Sequence, residues 1–208
     1  MPKLLFSVLS LACLILVAIG CQVRPAPVKA TAKESVPERV AGAPTQRPQP
    51  LSLPLRNPKI LVKKSQRQLL LYSDGKLVRT YRVGLGLSPI GDKVRQGDRR
   101  TPEGDFYIFT KNDKSAFYLS LGISYPNAAH AARGLRDGLI TQSQYDSIIA
   151  ALKAKQAPPQ NTRLGGDIYI HGNGAGSDWT WGCVALEDSD VRELFNAIPI
   201  GTPVHIDP

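Results

Sequence analysis

Between Lys59 and Gly86 the chain reads KILVKKSQRQLLLYSDGKLVRTYRVGLG, and this run commits it to strands joined by tight turns. Residues 60–63 and 68–72 are apolar-rich. Asp74-Gly75 is a dipeptide that supplies the positive φ of a two-residue hairpin. Leu77 to Val83 then alternates, with Leu77, Arg79, Tyr81 and Val83 set against Val78, Thr80 and Arg82.

The elements that follow are mixed. GLGLSPIGDKVRQGDRRTPEGDFYI is punctuated by glycine and proline and reads as a long turn region ending in a strand, GDFYIFT. A loop of that size in a compact domain is more often functional than idle. Residues 111–165 are expected to hold the helical part. There Thr141 and Gln144 form a capping box, and Tyr145, Ile148, Ile149 and Leu152 follow at helical spacing. DIYIHG returns to strand and places His171 at its end. A short strand follows Cys183, Asp190 and Glu193 can cap a second helix, and GTPVHI is a last strand. The expectation is an α+β domain over 59–208, a β-rich mixed sheet or sandwich with an inserted helix and a C-terminal helix.

The N-terminus is of another kind. LLFSVLSLACLILVAIG carries no charge, follows one lysine and stops at Gly20-Cys21. A run of this length also suits a membrane span, which needs ~20 apolar residues, but the basic start and the small residue before Cys21 fit an export signal better. VAIGC resembles the lipobox of bacterial lipoproteins, with Ala18 where leucine is commoner. The expectation is a signal peptide over 1–20, lipidation at Cys21 and a Pro/Ala-rich tether over 21–58. A plain signal peptide and an uncleaved anchor are the alternatives. Gln22 after the cysteine resembles the outer-membrane sorting pattern, which implies the periplasmic face of the outer membrane, with a soluble periplasmic or inner-membrane-anchored protein as the alternatives.

This partition changes the meaning of the cysteines. Cys13 falls in the signal and Cys21 at the lipidation site, which leaves Cys183 as the one thiol of the folded part. A single thiol forms no internal disulfide, so either it has a function or it is buried and inert. HGNGAGSDWTWGC, from His171 to Cys183, offers a function. A thiol with a pKa of ~8.5 is scarcely ionised at neutral pH, and an imidazole nearby can take its proton. Backbone N–H groups around Gly182 and Cys183 suit an oxyanion hole. Trp179 and Trp181 either line a groove or wedge the loop against the core.

Other chemistries are weakly supported. One thiol and one histidine fall short of the ligand sets that zinc takes, and no phosphate-binding glycine motif occurs, so neither metal nor cofactor is expected. His130 and His205 read as surface side chains. The net charge of +9 sits partly in residues 22–58, and the folded part holds nineteen basic against fifteen acidic residues. No nucleic-acid motif accompanies it.

IHG…TWGCVAL, with RQGDRRTPEGDFYI, LGGDIYIHG and the closing GTPVHI in order, resembles the L,D-transpeptidase catalytic-domain family of the YkuD type. The resemblance covers residues 59–208. It implies a cell-wall enzyme acting on peptidoglycan stem peptides; with the lipid expected at Cys21, the expectation is a membrane-held monomer. Cys183 would be the nucleophile, His171 the general base, and the Gly172 carbonyl the group that orients the imidazole. Thr180, Trp181 and Gly182 would lie at the substrate and oxyanion positions. The cysteine would attack the meso-diaminopimelate carbonyl of a tetrapeptide and release D-alanine. An amine would then resolve the thioester, making a 3→3 crosslink or attaching protein. The alternatives are a same-fold hydrolase and a non-catalytic wall-binding lipoprotein. Trp181 and Ala185 depart from the commonest family pattern, a histidine before Gly-Cys and an arginine two residues after the cysteine.

Overall fold

A computed structural model describes residues 50–208. The export signal, the lipidation site and most of the tether lie outside the described residues. Residues 50–58 are largely irregular, yet Leu51 and Leu55 pack against the core.

Eight strands and three helices make up the domain: β1 (Lys59–Lys63), β2 (Gln68–Ser73), β3 (Lys76–Arg82), β4 (Gly104–Ser115), β5 (Tyr118–Ile123), α1 (Ala128–Arg136), α2 (Gln142–Lys153), β6 (Tyr169–His171), β7 (Val184–Ala185), α3 (Asp188–Ala197) and β8 (Pro203–Asp207). The strands are ordered β3-β2-β1-β8-β4-β5-β6-β7. β1–β8 and β6–β7 are parallel and the other neighbours antiparallel, so the sheet is mixed.

Local chemistry accounts for the hairpins. Asp74 and Gly75 both take positive φ, +46° and +75°, as the expected tight turn between β2 and β3 requires. In β1 and β8 the alternation is plain: Ile60, Val62, Val204 and Ile206 are buried while Lys59, Leu61 and His205 are not. These side chains join Leu69, Leu71, Tyr81, Val83, Phe106, Ile108, Leu121, Ile170, Val184 and the buried face of α3 in one core. A smaller cluster of Ala131, Ile140, Ile148 and Leu164 lies between α1 and α2.

β4 is twelve residues long and serves two partners. Its first part pairs with β8 and its second with β5, with register shifts after Ile108 and after Asn112. Beyond β3 the chain pairs again. Gly84 and Ala185 exchange both backbone hydrogen bonds, at 2.9 and 2.8 Å, and Thr180 is bridged to Leu85 and Leu87. The two ends of the strand order are thereby sewn together.

Three expectations need correction. Residues 111–123 are not helical but form the end of β4 and all of β5. The polar stretch KNDKS hides a hairpin because its outer end buries nothing that would alternate. His130 is not at the surface: it is 1% exposed, with Nε2 2.9 Å from Asp92 Oδ1, Nδ1 2.5 Å from Asn127 Oδ1, and its ring edge-on to Tyr125. The last helix starts at Asp188 and not after Asp190, and Glu187 at its N-cap makes no side-chain cap. The carboxylates there are engaged elsewhere, since Asp188 accepts from the Asn173 N–H and Glu187 from the Ala175 N–H, each at 2.8 Å. The Thr141 capping box of α2 is formed in both directions.

Ionic staples hold the long segment 84–103. Lys64, 2% exposed, reaches Glu103 at 2.6 Å and the carbonyls of Gly91 and Thr101. Lys93 pairs with Asp98 at 2.8 Å, and Asp92 takes His130 on one oxygen and Arg133 on the other. A buried ammonium persists only when its donors are satisfied, and this segment is built to do that.

Candidate active site

β6 and β7 bring His171 and Cys183 to one place. Ile170 pairs with Val184 and His171 with Ala185, so Cys183 stands one position before β7, beside Tyr169. Side chains two apart on a strand share a face, which puts His171 and Cys183 on the same side of the pair. Both line a cavity of about 310 Å³ with Lys114, Phe117, Ser120, Asp167 and Tyr169.

The histidine's protonation pattern follows from its partner. Nδ1 lies 2.8 Å from the Gly172 carbonyl. A carbonyl can only accept, so Nδ1 carries the hydrogen and Nε2 keeps its lone pair. The ring is 2% exposed and sits between two aromatics, Phe117 at 4.7 Å between centroids and Trp179 at 5.5 Å. Burial holds its pKa below the ordinary imidazole value, against the raising effect of the Gly172 bond.

The thiol contacts two backbone groups. Cys183 Sγ accepts the Tyr169 N–H at 3.4 Å and faces the Asp167 carbonyl at 3.5 Å. Burial pushes its pKa up to about 11; the Tyr169 N–H and the Lys93 charge pull it down, and the Asp167 charge pushes it up. Burial thus favours the neutral thiol and the neutral imidazole in the one cavity that both line.

The turn before the cysteine is rigidly braced. Thr180 Oγ1 donates to the Cys183 carbonyl at 2.9 Å and accepts the Gly182 N–H at 3.1 Å. Gly182 has φ of +131°, and a Cβ there would meet the Arg100 carbonyl at 2.6 Å, so glycine is required. Thr180 and Gly182, expected at the substrate and oxyanion positions, lie in the turn that leads into Cys183. Thr180 is 3% exposed, its hydroxyl is bonded to the Cys183 carbonyl, and the Gly182 N–H has that hydroxyl as its acceptor.

The two tryptophans divide. Trp179 is the wedge, its Nε1 donating to the Gly174 carbonyl at 3.1 Å and its ring against His171. Trp181 is 68% exposed, with the Arg99 guanidinium 4.9 Å from its ring centroid. Ala185 is fully buried between His171 and Gly84, which leaves no solvent-facing space for a long side chain. Phe117 and Thr101 also contribute to the site. Phe117 gave no signal because a polar hairpin tip looks like any loop. Thr101 did give one, as the first residue of TPEG: its Oγ1 accepts the Gly86 N–H at 3.0 Å and donates to the Cys183 carbonyl at 3.4 Å. Among the described residues no group of three His, Cys, Asp or Glu side chains is placed to hold a metal ion.

A sheet closed on itself, with a thiol and a tautomer-fixed imidazole in one cavity at the seam, defines an α+β domain of Cys/His type. The YkuD family, the L,D-transpeptidase catalytic domain, matches residues 57–206. The chain belongs to that family. Solved structures similar to it include the helical cell shape determining protein Pgp2 from Campylobacter jejuni, at 21% identity over 72% of this chain and 47% of that one (TM-score 0.47). An L,D-transpeptidase from Xylanimonas cellulosilytica is 22% identical over 77% and 64% (TM-score 0.44). Bd1075 from Bdellovibrio bacteriovorus is 21% identical over 74% and 48% (TM-score 0.47). The chain thus spans about half to two thirds of the length of these structures. No curated protein sequence matches it.

Proposed function

We propose that the protein is a cysteine L,D-transpeptidase acting on peptidoglycan stem tetrapeptides. The observation that carries this reading is the Nδ1–Gly172 bond, which leaves His171 Nε2 as a base in the cavity that holds Cys183. The Cys183 proton passes to Nε2 as Sγ attacks the diaminopimelate carbonyl. The C–N bond then breaks, Nε2 returns the proton to the departing D-alanine amine, and a thioester remains. An incoming amine gives its proton to Nε2 and expels the thiolate, which is reprotonated. The backbone around Gly182 and Cys183 would meet the oxyanion, with the Cys183 N–H as the donor because that of Gly182 bonds to Thr180.

In this reading Cys21 is lipidated and the Pro/Ala-rich tether carries the domain from the periplasmic face of the outer membrane to the wall. Palmitate labelling of Cys21, lost in Cys21→Ser, checks the anchor; equal labelling of both chains rejects it.

The experiment for the activity is incubation with diaminopimelate-containing tetrapeptide muropeptides, followed by mass spectrometry. Loss of D-alanine with 3→3 dimers is expected from wild type and neither from Cys183→Ala or His171→Ala. Monomeric products alone, with or without added amine, identify water as the acceptor and make the protein a hydrolase. Identical products from wild type and Cys183→Ala remove the catalytic role of Cys183.

A further inference from the structure

A second cavity, of about 660 Å³, shares no lining residue with the one that holds the thiol; its walls are Arg95, Gln96, Gly97, Leu139, Arg163 and Trp181. It is nevertheless close to the reacting sulfur. Trp181 is two residues from Cys183, a Cα separation of at most about 7.6 Å. Arg163 lies on the same loop as Asp167, whose carbonyl faces Sγ.

The cavity's charge is unbalanced. Its lining contains two guanidinium groups and no carboxylate, and Arg99 on the Trp181 ring adds a third. Among the described residues none of Arg95, Arg99 and Arg163 forms an ion pair, whereas most of the chain's other arginines with described partners do. Asp98 is the nearest carboxylate in sequence to Arg95 and Arg99, and it is fully engaged. Its oxygens accept Lys93 Nζ and the N–H groups of Val94, Arg95 and Arg100.

The walls are also fixed in place. The Gln96 N–H donates to the Arg163 carbonyl at 3.0 Å, tying the two arginine-bearing segments together. Gly165 approaches so closely that a Cβ there would meet Gln96 Cα at 3.2 Å. Arginine forks match carboxylates in two-point geometry. Leu139 and the Trp181 ring give the cavity apolar surface for the organic body that bears the charge.

We infer that this cavity binds a free carboxylate of the substrate peptide, one or two residues from the carbonyl that Cys183 attacks, through Arg95 and Arg163. The inference rests on the function proposed above and gives Trp181 a part in recognition. It makes Arg95 and Arg163 binding residues, outside the proton transfers.

Calorimetric binding to the full chain carrying Cys183→Ala tests it independently of turnover. The probes are a diaminopimelate tetrapeptide and two forms of it, one amidated at the terminal D-alanine and one at the diaminopimelate side-chain carboxylate. At least tenfold weaker binding is expected for one amidated form, and this preference should vanish when Arg95→Ala and Arg163→Ala are added. Circular dichroism verifies that these exposed substitutions leave the fold intact, and Arg95→Gln with Arg163→Gln serves as a second, less truncating variant. Equal binding of all three peptides, or a preference that survives both double variants, overturns the inference. Turnover by wild type separately decides the proposed activity: a protein that turns the peptide over yet shows no arginine-dependent preference keeps its activity and loses this site.

Discussion

At the residue scale, burial acts on both Cys183 and His171, raising the pKa of the thiol and lowering that of the imidazole, so it disfavours thiolate and imidazolium alike. The thiolate fraction should therefore keep rising well past the range of a free cysteine. Peptide-mapped alkylation of Cys183 by iodoacetamide is expected to be at least about tenfold slower than for a free thiol at pH 7, and to climb with pH toward 11. A plateau by pH 8 would reveal a preformed ion pair instead. Phe117 provides a second test. Phe117→Ala admits water to the imidazole, so the His171 pKa should rise toward its ordinary value. A base with a raised pKa loses activity earlier on acidification, and the acid limb of kcat/KM should move to higher pH. An unmoved limb with lowered kcat would leave Phe117 a purely steric role.

At the level of the element, the short turn from Thr180 to Cys183 is held by one hydroxyl serving two backbone groups. Thr180→Val keeps the shape, strands the Gly182 N–H and leaves the Cys183 carbonyl only its longer bond from Thr101, which is expected to cost about 1–3 kcal/mol in urea unfolding. Thr180→Ser should restore most of that loss. Full stability of the valine variant would mean the backbone finds other partners. This scale also shows what the sequence makes legible. Asp74-Gly75, the β1 and β8 alternations and the Thr141 capping box carry their structure in local chemistry, and each forms as read. The β4–β5 hairpin, the inward turn of His130 and the true start of α3 do not. Their reasons lie far along the chain: Asp92 for His130, and the Asn173 and Ala175 N–H groups for the carboxylates opening α3. Cys183 and His171 were legible as a pair because a strand end and a glycine-rich return bring them together. Phe117 and the arginine-lined cavity depend on tertiary placement alone.

For the whole molecule, the Asp92–His130–Arg133 cluster joins the long segment 84–103 to α1. Burial alone would raise the Asp92 pKa, but the His130 hydrogen bond and charge, the Glu103 N–H and the Arg133 bond outweigh it and hold the carboxyl well below the usual range. A depressed carboxylate stabilises the fold above its unfolded pKa, about 3.9, and that contribution is lost as pH falls through the lower folded value. Asp92→Asn should accordingly unfold at lower urea than wild type at pH 7, and the gap between them should narrow below pH 4. A gap that does not change with pH would place the effect in packing and not in charge.

The seam where Gly84 and Ala185 exchange hydrogen bonds has a temporal consequence. Its two sides are about a hundred positions apart, and such distant contacts pay loop-closure entropy before they return any stabilisation. Ala185 lies two residues after Cys183, so the pairing next to the thiol is completed only when the segment following β3 reaches β7. A cysteine in a chain that has yet to bury it is expected to react as an ordinary exposed thiol, open to oxidants and alkylating agents. The folded state thus shelters its own sulfur, and the time the chain spends unsewn measures its exposure to damage.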